Sequence, residues 1–233
     1  MRLNRKLTKE RVRNHLTYDL WKYLLLGVGT IFFWSLIYDQ TAYRSPQEKR
    51  IDVMIVSNTV TDELMQAFFE PIWKETVPDM ELVEGVTLLS GSSGGNMEQD
   101  YYSAINLSVK IAAAEGDIYL LPKAEFKSYA SGGAFVPLEE LVEQGLLNID
   151  GLDVSAGWMT VLDEETGIAE SHLYGIPTDQ LYGLMDGLQY DNRGAVMTIA
   201  VNNQNEDNVA LFFNALVQAG RGDPPEWLEN TAN

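Results

Sequence analysis

Ser90-Gly91-Ser92-Ser93-Gly94-Gly95-Asn96 is the stretch of this chain best suited to meet a ligand, because it joins an apolar run to a helical pattern. Backbone N–H groups at such a junction suit anions, and in open α/β sheets ligands lie beyond the carboxyl ends of the strands. Ser92, Ser93 and Asn96 are therefore candidate ligand-facing residues. No GxxxxGK[ST] and no GxGxxG pattern is present, so a nucleotide cradle is not supported. Glu98 and Asp100 add negative charge where a phosphate would sit. The plainer alternative is a flexible connector.

His172 is the one histidine beyond the basic N-terminal region, and a general base needs both an orienting acid and a nucleophile. Ser171 is merely its neighbour in sequence, so no catalytic residue is assigned and no enzyme activity is expected. Asp150, Asp153, Asp163, Glu164 and Glu165 raise the question of calcium. The run Asn148-x-Asp150-x-Leu152, however, puts an apolar side chain where an EF-hand loop needs a ligand. Solvated acidic surface is the better reading. With no cysteine, disulfides, thiolate metal sites and cysteine nucleophiles are excluded. Neither a metal nor a cofactor is expected.

What positions these residues begins with a charge split. Residues 1–38 hold seven Lys/Arg against two acids, whereas residues 39–233 hold nine against 32, a net of −23. Residues 23–38, YLLLGVGTIFFWSLIY, carry no charge; with Leu20, Trp21 and a snorkelling Lys22 they approach the ~20 residues that span a bilayer. Trp21, Tyr23, Trp34 and Tyr38 flank the run as interfacial aromatics do. The basic residues before it place the N-terminus in the cytoplasm and the acidic remainder outside. A cleaved signal peptide would need small residues in an A-x-A-like pattern, and Asp39-Gln40-Thr41-Ala42-Tyr43 offers none. The expected layout is a basic cytoplasmic tail (1–19), a signal anchor in the cell membrane (20–38), a linker (39–50) and one extracytoplasmic domain (51–233). An exported domain this acidic lacks the footprint for nucleic acid, and the basic tail suits anionic lipid.

In the domain, apolar runs alternate with helical patterns. Residues 51–56 read as a buried strand. Thr61 caps a helix carrying Asp62 and Glu63 in its first turn. Pro71 should kink or interrupt that helix. Residues 82–89 form the next strand, and a helix starting near Asn96 runs to Gly116. Residues 117–121 give the third strand, 138–143 a short helix. A hairpin is expected from 158–162 and 168–176 around Glu164-Glu165-Thr166-Gly167, then a strand at 196–201 and a last helix from Asn205 or Glu206 to Gly220. Strands separated by helices argue for a mostly parallel sheet flanked by helices, fold class α/β.

The order GDIYLLPKAEFKSYASGGAFVPLEEL (116–141), LYGIP (173–177) and VNNQNEDNVALFFNALV (201–217) resembles bacterial extracellular solute-binding proteins of ABC importers. The resemblance implies one lobe of a type II periplasmic-binding-protein fold. Those proteins have two lobes, the second largely inserted after the YGIP step; here residues 178–197 are too few to build it. By the same resemblance, Asn58 in the Ser57-Asn58-Thr59 loop and Lys123 after Pro122 would face the cleft beside the serine-glycine loop. Trp158 would stack on a sugar ring, as aromatics do in that family. The plain alternatives are an ion pair between Lys123 and Glu125, and Trp158 in the core. The expected function is membrane-anchored solute binding, sugar or oligosaccharide ahead of peptide, with a transporter permease as partner; the alternative is an interaction or sensor module with no small ligand.

Overall fold

Alternate residues of the strand at Arg50–Val56 enter different cores: Ile51, Val53 and Ile55 pack on one side of the sheet, Met54 and Val56 on the other. A strand covered on both faces reads as a near-continuous apolar run, and within residues 51–56 only Asp52 interrupts this one. The computed structural model describes residues 9–10, 13, 17, 20–41, 43, 45–89, 97–162, 169–201 and 205–223. They fall into two units, Met1–Arg44 and Ser45–Asn233.

The first unit contains α1 (Leu20–Thr41). Its segment Leu20–Tyr38 has a mean hydropathy of 1.6 and no residue buried, and it is the one helix among the described residues long and apolar enough to cross a membrane. Its two described threonine hydroxyls bond within the helix, Thr30 Oγ1 donating to the Leu26 carbonyl and Thr41 Oγ1 to that of Ile37, both at 2.7 Å. That removes their need for water.

The second unit opens with a 3-10 turn at Gln47–Lys49 and continues as β1 (Arg50–Val56), α2 (Asp62–Thr76), β2 (Leu82–Leu88), α3 (Met97–Ala112), β3 (Ile118–Pro122) and α4 (Lys123–Ser131). Then come α5 (Glu139–Glu143), β4 (Trp158–Leu162), β5 (Ala169–Leu173), β6 (Ile176–Pro177), α6 (Tyr182–Leu188), β7 (Ala195–Ile199) and α7 (Glu206–Gly220). The main sheet has the order β2-β1-β3-β7-β6. β1 runs parallel to β2 and β3, while β7 runs antiparallel to its neighbours β3 and β6. Four of the five strands thus point one way. The fold is α/β, with a mixed, mostly parallel sheet. Met65 and Phe69 of α2, Leu184 and Leu188 of α6, and Phe212 and Phe213 of α7 cover one face. Leu107 of α3 with Phe126 and Ala130 of α4 cover the other.

Several expected elements change. The helix read to Gly116 stops at Ala112, because the chain must turn into β3 through left-handed conformations at Ala114 (φ 52) and Gly116 (φ 87). Pro71 lies inside α2 without interrupting it. The strand read over 168–176 is split: β5 pairs with β4 in a separate two-stranded sheet, and β6 joins the main sheet. The split falls where backbones touch, since a Cβ on Gly157 would lie 1.8 Å from the Gly175 carbonyl oxygen. Residues 178–197, too few for a second lobe, contain α6 and place Leu181, Leu184, Leu188 and Tyr190 in the core.

At the amino end of the parallel strands Asp117 is nearly buried, 8% exposed. Its Oδ2 accepts the Asp52 N–H at 2.8 Å, and its own N–H donates to the Asp52 carbonyl at 2.8 Å. Burial pushes its carboxyl up to about 6; the Asp52 N–H opposes that, and the nearby Asp52 charge adds to it. A raised carboxyl binds its proton more tightly in the folded state, so this group's contribution to stability grows as pH falls from about 7 towards 4. Asp117→Asn keeps an acceptor for Asp52 and removes the buried charge. The variant should be more stable than the parent at pH 7.5 by up to roughly 2 kcal/mol, and most of the gap should be gone by pH 4.5. Urea midpoints at both pH values measure it; a gap that widens on acidification contradicts the assignment.

Candidate functional site

The site is built where two neighbouring strands send the chain in opposite directions. From β1 the chain passes into α2 on one face of the sheet; from adjacent β3 it passes into α4 on the other. Loops that diverge from adjacent carboxyl ends leave a crevice, the topological switch point at which open α/β sheets bind ligands. Asn58 lies in the loop after β1 and Lys123 is the first residue after β3, and both are exposed. These two residues flank the switch point.

Local hydrogen bonds fix the rim. Ser57 Oγ accepts the N–H groups of Thr59 (3.1 Å) and Val60 (3.4 Å), folding the loop after β1 back on itself. Thr59 Oγ1 donates to the Gln189 carbonyl at 2.9 Å, tying that loop to the end of α6, where Gln189 is left-handed (φ 53). The Lys123 N–H donates to the Gly194 carbonyl at 2.9 Å. Asp179 Oδ1 accepts the Gly194 N–H at 3.0 Å, and Asp191 holds Arg193 through two bonds of 2.8 Å. Asp191 is thereby held below the usual carboxylate range, first by the Arg193 hydrogen bond. Beneath the rim Tyr190 is 4% exposed, and burial pushes its phenol upward, with the Asp191 and Glu125 charges adding to the shift.

Asp179, Gln189, Tyr190 and Arg193 were not singled out in the sequence. Their one local signal is the turn-forming run Asp191-Asn192-Arg193-Gly194. What makes them neighbours of Asn58 and Lys123 is sheet order, which no local pattern carries.

The other candidates fall elsewhere. Ser92, Ser93 and Asn96 lie outside the described residues, as do Asp163, Glu164 and Glu165. Lys123 forms no ion pair with Glu125; the described pairs are Lys49–Glu81, Arg50–Asp52, Arg50–Glu84, Lys74–Glu70, Lys110–Glu115, Arg193–Asp191 and those of His172. Trp158 starts β4 in the two-stranded sheet and is 43% exposed, so the core reading is corrected. Its neighbour Met159 packs inward instead, as strand alternation requires. His172 sits between Glu139 (Nδ1 to Oε1, 3.1 Å) and Glu170 (Nε2 to Oε2, 3.4 Å), with its ring edge-on to Tyr174. Both ring nitrogens face carboxylates, an arrangement that clasps β5 to α5.

Asp150 and Asp153 are exposed. Asp153 accepts the Ser155 N–H at 3.0 Å and is shifted downward by that residue's hydrogen bonds. The carbonyls of Asn148 and Asp150 are occupied by Arg221, at 2.8 and 2.7 Å. A guanidinium thus fills the place a cation would need. Among the described residues no group of three His, Asp or Glu side chains is arranged to hold a metal ion.

No family model matches the chain, and no curated protein does. Three solved solute-binding proteins are similar to it over about half its length. One is an extracellular solute-binding protein family 1 from Alicyclobacillus acidocaldarius: 17% identity, 57% of this chain and 29% of that one, TM-score 0.39. A second is an ABC transporter solute binding protein from Agrobacterium vitis S4 with bound D-mannitol: 17% identity, 55% and 27%, TM-score 0.36. The third is an ABC substrate-binding protein from Listeria monocytogenes in complex with cycloalternan: 18% identity, 54% and 28%, TM-score 0.33. The chain spans less than a third of the length of each.

Proposed function

We propose that this chain is a membrane-anchored, extracytoplasmic solute-binding-like protein. Its switch-point face receives a sugar or oligosaccharide, and it serves an ABC importer as an accessory or substrate-binding component. The observation that carries the reading is the placement of Asn58 and Lys123 on adjacent strand ends whose following helices diverge. The ordered sequence resemblance supplies the class of ligand. A one-sided face buries less of a solute than a closed cleft, so binding by this chain alone is weak and a partner completes the enclosure. Ser92, Ser93 and Asn96 would add hydroxyls and an amide from the loop after β2. Trp158 would offer its ring from the neighbouring hairpin.

Isothermal calorimetry of the full chain in nanodiscs, against neutral oligosaccharides and peptides at millimolar concentration, tests this. Oligosaccharide heat that weakens at least tenfold in Lys123→Ala and Asn58→Ala, at unchanged melting temperature, supports it. No heat with any solute overturns it and leaves the second reading, an interaction or sensor module without a small ligand. One feature favours that second reading: on α3, Tyr101, Tyr102, Ile105 and Val109 are 65%, 63%, 41% and 58% exposed. Apolar side chains at this spacing form a stripe turned away from the sheet. Co-purification of a membrane partner in mild detergent, lost in Ile105→Asp, would select it.

A further inference from the structure

We propose that the outer edge of β2 binds an extended basic segment of a partner protein as an added strand. The first observation is the edge itself. β2 is the last strand on its side of the sheet, and among the described residues no strand pairs with its outer edge. Leu88 turns its carbonyl towards β1, where it accepts the Ser57 N–H at 2.9 Å. Alternation along a strand then turns the backbone groups of Val83, Gly85 and Thr87 outward. Free edges normally carry lysine, proline or a bulge that stops a further strand from adding. The sequence of β2, LVEGVTL, has neither residue, and its register with β1 is regular over all seven pairs.

The second observation is a groove beside that edge. A cavity of about 690 Å³ lies between β2 and α2, lined among others by Asp62, Glu70, Trp73, Lys74, Glu84 and Gly85. Gly85 keeps the groove floor close to the helix, since a Cβ there would lie 2.4 Å from Met65 Sδ. The geometry is that of strand addition beside a helix, in which backbone bonds supply affinity and alternate side chains enter the groove.

Charge chooses the occupant. Lys74 is already paired with Glu70 and lies 5.8 Å from the Trp73 ring centre. Asp62 is left exposed on the groove, whereas Glu84, opposite Asp52 in β1, turns to the other face of the sheet, where Arg50 reaches it at 3.4 Å. Residues 39–233 carry nine Lys/Arg against 32 acids, so a second copy is repelled from this edge. A segment alternating Lys or Arg with β-branched residues fits the unpaired amides and turns its basic side chains to Asp62.

The test uses the full chain in phosphatidylcholine nanodiscs with two synthetic peptides, acetyl-Lys-Val-Lys-Val-Lys-Val-amide and its Glu counterpart. The basic peptide should slow hydrogen exchange at Val83, Gly85 and Thr87 at least tenfold at saturation and bind at least tenfold tighter than the acidic one. D62K should reduce that preference several-fold; if this variant does not fold, D62N should reduce it in the same direction. Equal binding of the two peptides, or no protection at the three amides, overturns the proposal. So does protection without peptide that rises with protein concentration, which would make a second copy the occupant.

Discussion

Phe212→Ala should lower the stability of the acidic domain by about 4 kcal/mol, close to the whole margin of an ordinary domain. Phe212 has no exposed surface, and its ring meets Phe69 of α2 edge-on, with centroids 6.0 Å apart and planes at 82°. Truncation removes the transfer energy of a ring, leaves a cavity between α7, α2 and the sheet, and ends the aromatic contact. The sheet cannot close on that space, because Val53 and Ile55 are fixed by β1 pairing on both sides and Ile51 by its pairing with β2. At a typical urea slope of roughly 2 kcal/mol/M, the midpoint should fall by roughly 2 M. Leu211→Ala is the control on the same helix. Leu211 is 36% exposed, so its truncation should stay within roughly 0.5 kcal/mol. Equal midpoint shifts for the two variants would refute the assigned face of α7. The variant also reports on the switch point: losing the layer that α2 packs on should loosen the loop after β1.

The face of α7 was readable in the chain because Val209, Phe212, Phe213, Leu216 and Val217 recur at helical spacing, and all five are buried. The start of α2 was readable too: Thr61 Oγ1 accepts the Leu64 N–H at 3.4 Å, as a capping threonine does. Both signals are local. Strand direction is not, since AVMTI of β7 would read the same in a parallel or an antiparallel position. The division between β5 and β6 depends on Gly157 meeting Gly175 across the fold, which neither segment reveals alone. The site shows the same limit. Asn58 and Lys123 each follow an apolar run, and their expected place at the cleft came from the resemblance. The bond from Thr59 to Gln189 spans 130 residues, and only the completed sheet brings those ends together. Exposure of Trp158 is of this kind as well: strand propensity is blind to which face of a hairpin is covered.

The N-terminal helix carries the largest expected effect on where the protein resides. Residues 20–38 contain ten Leu, Ile, Phe and Val side chains, which favour insertion by roughly 3–6 kcal/mol in all. An aspartate near the helix centre opposes insertion by about 3 kcal/mol. Val28→Asp with Ile31→Asp adds two such terms and deletes two favourable ones, enough to reverse the sign. Both side chains are exposed on α1, 57% and 73%, so neither substitution disturbs a packed neighbour. The parent chain should therefore stay with membranes through alkaline carbonate extraction, and the double variant should appear in the supernatant. Protease added to intact spheroplasts should digest the acidic domain of the parent and spare the basic tail, as cytoplasmic placement of that tail requires. Retention of the double variant on membranes would show that something other than α1 holds the protein there. A mature N-terminus downstream of Tyr38 would show that the segment is removed, leaving the domain free in the exported space.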